Sequence, residues 1–136
     1  MRIERKKRRK FTPPGPGKVA VGLPAGAVSA ETLAAAVHNH FGTADIPARP
    51  FITSAMRDNR LKYRQMMIEL AGPVLRGEMT SDEATARIAR VAVDDIQAAI
   101  DKASPANAAG TIRQKGRNDP LDESGDLRGS INWRRT

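Results

Sequence analysis

Two segments that mix Gly and Pro with large apolar side chains divide this chain and limit how it folds. The first runs Phe41-Gly42-Thr43-Ala44-Asp45-Ile46-Pro47-Ala48-Arg49-Pro50-Phe51. The second runs Pro120-Leu121-Asp122-Glu123-Ser124-Gly125-Asp126-Leu127-Arg128-Gly129-Ser130-Ile131. Proline removes a backbone donor and interrupts both helix and ladder. The apolar residues, in contrast, call for burial. Both segments therefore read as anchored loops of fixed conformation, not slack connectors. The chain has only three Phe, one Tyr and one Trp, and it places Phe41 and Phe51 on either side of one turn.

Between the loops the apolar periodicity is helical. Lys18–Leu23 reads as a short β-branched strand stopped by Pro24. Ser29 is placed to cap a helix over Ala30–His40, ended by Gly42. Residues 44–50 form a Pro-bounded loop. A long helix is expected from about Ile52 to Leu75, with Tyr63, Met67, Leu70 and Val74 on one apolar face, widened by Leu61, Ile68 and Leu75. Gly72-Pro73 loosens its last turn. Arg76–Met79 is a tight link. Thr80 or Ser81 caps a second helix that runs to about residue 103. Its inner face carries Ala84, Ile88, Val91, Ile96, Ala99 and Ala103, and Pro105 ends it. Two long helices joined this way form an antiparallel hairpin. Residues 107–116 suggest one more short helix, Asn118-Asp119-Pro120 a turn, and residues 122–129 another helical turn. Ser130–Arg135 reads as a final strand suited to pair with Val19–Leu23. The expected class is α+β, a long antiparallel helical hairpin packed on a small antiparallel sheet.

The formal net charge is +8, and most of it is in one place. Arg2, Arg5, Lys6, Lys7, Arg8, Arg9 and Lys10 face a single acid, Glu4, within the first ten residues, so the rest of the chain carries only +2. Self-repulsion and the Pro13–Gly17 stretch point to a disordered or extended basic tail over residues 1–17. Residues 18–136 then form a single domain. A detached basic tail implies attraction to an anionic partner, either nucleic acid phosphates or an acidic protein surface. No aromatic precedes Phe11, so base stacking is not indicated.

No residue set points to catalysis. There is no long apolar run for a transmembrane helix, and no apolar stretch follows the basic N-terminus as in a secretory signal. With no cysteine, the chain has no disulfide, thiol nucleophile or thiolate metal site. His38 and His40, at i and i+2 on a helix, point to different sides. The carboxylate pairs Asp94-Asp95 and Asp122-Glu123 are adjacent and diverge. Ser54 and Ser124 lack a nucleophile elbow, and Gly15, Gly17 and Gly22 precede no phosphate-loop Lys. Neither enzymatic activity nor a cofactor or metal is expected.

Four elements in order nevertheless resemble one family. They are F-G-T at Phe41–Thr43, I-P-A-R-P-F at Ile46–Phe51, T-I-x-x-K-G at Thr111, Ile112, Lys115 and Gly116, and the last element at Pro120, Leu121, Gly125, Leu127, Ser130 and Ile131. Their order and spacing, over residues 19–133, are similar to those of the neck, or tail-completion, morphogenesis proteins of tailed bacteriophages. Two departures stand out. The chain has Asp122-Glu123-Ser124-Gly125 where that family more often has a hydrophobe, Asp, Thr and Gly. It also has a basic Pro/Gly tail where many members have a leading amphipathic helix.

The resemblance implies a structural virion protein at the head–tail junction, assembled in the bacterial host cytoplasm. It would work as a ring of six or twelve of its own copies. Its neighbours would be the connector or stopper on one side and the tail terminator or tail tube on the other, with no membrane partner. Phe41, Ile46, Pro47, Arg49, Pro50 and Phe51 would form one interface or anchoring loop. Leu121, Gly125, Leu127 and Ile131 would shape a second. The tail would line the passage of genome DNA or lie along an acidic neighbour. The rival reading is a small nucleic-acid-binding protein that uses the tail for affinity. Against it stand a nearly neutral domain and the lack of a recognition motif.

Overall fold

The computed structural model describes residues 15, 17–24, 26–102 and 126–136. The basic cluster at residues 2–10 lies outside these residues. So do the helix expected over 107–116, the Asn118–Pro120 turn, and Leu121 and Gly125. The described chain is α+β: β1 (Val19–Gly22), α1 (Ala30–Phe41), α2 (Phe51–Asp58), α3 (Arg60–Leu75), α4 (Ser81–Asp101), α5 (Asp126–Ser130) and β2 (Asn132–Arg135).

Local chemistry sets the element ends. Ser29 is extended, and its hydroxyl accepts from the Thr32 amide at 3.1 Å, which starts α1. Thr80 starts α4 with a reciprocal capping box. Its hydroxyl accepts from the Glu83 amide at 3.1 Å, and the Glu83 carboxylate accepts from the Thr80 amide at 2.9 Å. Between α3 and α4 the Gly77 amide donates to Val74 and the Glu78 amide to Pro73, with Gly77 at φ 75°. This is a Schellman closure, and its left-handed residue turns the chain back within five residues.

The single helix expected from Ile52 to Leu75 is two helices. Asn59 sits between them at φ −102° and ψ 8°, and its side-chain amide donates to the Ala55 carbonyl at 2.9 Å. An Asn that competes for a helical carbonyl weakens the ladder at that point. The break lets α2 and α3 pack independently along α4.

α4 is the central element, and it buries Ala84, Ala86, Ile88, Ala89, Ala92, Ile96 and Ile100. Its C-terminal half joins Ala36, Phe51, Ala55, Leu127 and Ile131 in the main core cluster. Its N-terminal half meets Tyr63 through Ile88 and Ala92. Val21 of β1 packs against both clusters. The antiparallel hairpin of α3 and α4 is pinned where Asp95 accepts from the Tyr63 hydroxyl at 2.7 Å and from Lys62 Nζ at 2.5 Å. Burial, together with the bond to Asp95 and its negative charge, pushes the Tyr63 phenol well above its ordinary pKa. It therefore remains a donor at every physiological pH.

β1 and β2 pair antiparallel, with Val19 opposite Arg135 and Val21 opposite Trp133. A two-stranded ribbon is marginal alone, and here both strands rest on α4. The Arg90 guanidinium of α4 lies 5.9 Å from the Trp133 ring centroid.

One expected face is corrected. Of the α3 residues assigned to an inner stripe, Tyr63 is buried and Leu70 and Val74 are half-buried, but Met67, Leu61, Ile68 and Leu75 are exposed. At about 100° per residue, Leu61, Ile68 and Leu75 lie roughly opposite Tyr63, Leu70 and Val74. The apolar residues of α3 form two faces, not one wide face.

Tyr63→Phe should lower the unfolding free energy by about 1–3 kcal/mol, since it leaves a half-buried carboxylate short of a partner. Lys62→Met should cost less than about 1 kcal/mol, because the lysine is partly in solvent. Urea denaturation of both variants checks the order. Equal effects would mean that the Tyr63 hydroxyl does not pin the hairpin.

Candidate interaction surface

The segment from Gly42 to Pro50 is a closed loop held by its own backbone. Gly42 has φ 78° and ψ 167°, a region open essentially to glycine alone. A Cβ there would stand 2.9 Å from the Ala48 amide nitrogen and 3.0 Å from the Ile46 carbonyl oxygen, because the loop doubles back across it. The Thr43 amide donates to Ile46 at 2.8 Å, and the Thr43 hydroxyl accepts from the Ile46 amide at 3.1 Å. The far end of the loop is tied to α1, where the Arg49 amide donates to the Asn39 carbonyl at 2.6 Å and Arg49 Nη1 donates to Asn39 Oδ1 at 3.1 Å. Asn39 is itself fixed by donating to Ala35. Pro50, at φ −76° and ψ 64°, forms an inverse γ-turn closed by the Phe51 amide donating to Arg49 at 2.7 Å. That turn delivers the chain straight into α2.

The structure separates the residues of this loop by role. Phe51 is 4% exposed and Arg49 6%, so both serve chiefly as anchors inside the subunit. Burial lowers the Arg49 guanidinium pKa from its ordinary value. Ile46 is half-buried, whereas Pro47 and Pro50 are exposed. Phe41 is 74% exposed. From the second expected interface, Leu127 and Ile131 are buried in the main core cluster with Phe51.

Two further surfaces were not read from the sequence. On α1, Leu33, Val37 and Phe41 recur every fourth residue and are all exposed, and only Ala36 of this helix is buried. These three residues border an apolar groove with Leu23, Phe51 and Ile52. On α3, Leu61, Ile68 and Leu75 recur every seventh residue and are 78%, 60% and 56% exposed. The available signals were the seven-residue spacing and the absence of any Lys or Arg between Lys18 and Arg49. Interface cores are depleted of charge in this way.

His40 also lines the α1 groove. Its Nε2 is 3.1 Å from the Thr53 hydroxyl, and its ring meets Phe41 and Phe51 edge-on at 4.7 and 5.3 Å. Its Nδ1 is buried with no hydrogen-bond partner among the described residues. Burial lowers its pKa below the ordinary histidine value. Among the described residues, no group of acids and histidines is placed to hold a metal ion, and no helix is long and apolar enough to cross a membrane.

Gly42→Ala should destabilise the fold by about 1–3 kcal/mol, through the forbidden backbone region and the contact with Ala48. Thermal unfolding measures this, and a neutral result would mean the loop re-forms without its crossing. His40 gives a pH signature. Its folded pKa lies below its unfolded one, so the unfolded state binds more protons between the two values. Stability should therefore be full above the unfolded pKa, about 6.5, and fall as pH drops through the folded pKa. Denaturant titrations across this window should show a decline that His40→Gln abolishes. No family model, curated protein or solved structure matches this chain.

Proposed function

We propose that this chain is a structural subunit of a tailed-phage particle, one copy of a neck ring that joins or completes head and tail. The observation that carries this reading is the balance of apolar side chains. Among the described residues, eight large hydrophobics are exposed (Leu33, Val37, Phe41, Met56, Leu61, Met67, Ile68 and Leu75), whereas the buried core contains seven larger than alanine. Six of those eight fall into two ordered stripes, on α1 and α3. Scattered exposed hydrophobes need no explanation, but ordered stripes mark surfaces awaiting a partner. Two different stripes suit a heterologous contact, the kind that closes into rings.

The sequence elements shared in order with neck proteins give this surface its setting. In that setting the chain has no enzymatic role and works in the virion. Its outer neighbours are the connector or stopper and the tail terminator or tail tube. The basic residues at positions 2–10 supply a contact to genome DNA or to an acidic neighbour. The rival reading, a nucleic-acid-binding protein that relies on those residues, makes no use of either apolar stripe.

Imaging of purified virions tests the proposal directly. The expected result is six or twelve copies in a ring at the head–tail junction. Absence of the chain from virions, with salt-steep binding of the purified protein to DNA, would establish the rival. Deleting residues 1–10 should reduce virion yield or infectivity, measured by plaque titre, while leaving the domain folded. An unchanged titre would remove any role for the tail.

A further inference from the structure

The two exposed stripes differ in more than position. α1 and its flanks have acids and no cation: from Val19 to Ala48 the only charged side chains are Glu31 and Asp45. Around the N-terminal half of the α3 stripe the balance is reversed. Arg57, Arg60, Lys62 and Arg64 stand against Asp58 alone. Arg57 is paired with Asp58 and Lys62 with Asp95, while Arg60, Arg64, Glu31 and Asp45 have no ion pair among the described residues.

We infer that the α1 stripe (Leu33, Val37, Phe41) of one copy docks against the outer α3 stripe (Leu61, Ile68, Leu75) of a second copy, head to tail. This inference deepens the ring reading above by naming the surfaces that meet. Three observations select a second copy as the occupant. Each stripe is apolar and exposed within its own subunit, from 43% at Leu33 to 78% at Leu61. The cations beside α3 face a surface free of Lys and Arg only when unlike faces join, because residues 19–48 contain neither. A like-to-like pairing would oppose Arg60 and Arg64 to their own copies, which is unfavourable. Phe41, on α1, and Leu61, on α3, are the most exposed of the six and supply protruding apolar side chains for the facing helix, the kind of anchor that dominates binding energy. The α3 stripe spans about 21 Å of helix and the α1 stripe about 12 Å, so the second fits along the first. Because the contact is heterologous, each subunit keeps one free face of each kind until the ring closes.

The absence of cysteine makes the test specific. Val37→Cys and Ile68→Cys each place one thiol on one stripe, at exposed positions that do not build the core. Purified full-length protein is treated with a short bis-maleimide. A mixture of the two variants should give a cross-linked dimer, whereas neither alone should. The double variant V37C/I68C should give a ladder that stops at the ring number. Adding Arg60→Glu and Arg64→Glu should cut the cross-link yield severalfold, with circular dichroism confirming an unchanged fold. Cross-links within Val37→Cys alone or Ile68→Cys alone would overturn the head-to-tail assignment, as would no cross-link in the mixture. The same reaction on virions separates this inference from the neck reading. A neck ring whose V37C/I68C copies do not cross-link sinks the docking and keeps the neck. Ladders in solution with no copies in the virion keep the docking and sink the neck.

Discussion

The fold depends on α4 being apolar around more than one side. Seven of its residues are buried, and all are alanine or isoleucine. Alanine lets neighbouring backbones approach closely, and isoleucine fills the wider gaps between them. α2, α3, α5 and both strands all reach this one helix, and apart from the pairing of β1 with β2 they touch one another little. Without α4, the ribbon of β1 and β2 would lack a covered face, and α2 and α3 would have no common support. The capping box at Thr80 is therefore important well beyond its own turn, because it fixes where this central helix begins.

Much of this was legible in the sequence, for a simple reason. Caps and stops are local, so Ser29, Gly42 and the Arg76–Met79 link could be read from their immediate neighbours, and the second cap was narrowed to Thr80 or Ser81. The pairing of the two strands followed from there being only two β-branched or aromatic runs to pair. The break at Asn59 was not legible, since Asn occurs inside helices and only the carbonyl it captures, Ala55, decides the matter. The α3 faces were misjudged because periodicity counts apolar positions without saying what covers them. Leu61, Ile68 and Leu75 repeat as regularly as any core stripe, yet all three are exposed.

The loop was legible in outline only. Its Gly and Pro positions marked a fixed turn, and Phe41 and Phe51 looked equivalent on either side of it. They are not, because Arg49 and Pro50 turn the chain inward just before Phe51, whereas Phe41 ends a helix that is scarcely covered. The partner that makes the difference is Asn39, which holds Arg49 through both backbone and side chain. Nothing in the local pattern marks Asn39 as that partner.

The β1–β2 ribbon joins positions more than a hundred residues apart, whereas α2, α3 and α4 meet their neighbours in sequence. Contacts between near neighbours form first, and closure of a long loop comes late. β1 therefore leaves the ribosome more than a hundred residues before its partner and is paired late. Until β2 emerges, Val19, Val21 and their backbone groups wait for a partner strand that does not yet exist. The helices can gather around α4 in the meantime, but the sheet completes only after residue 135 is free. A nascent chain stalled before that point would carry a hairpin already packed and a strand still open to any extended neighbour.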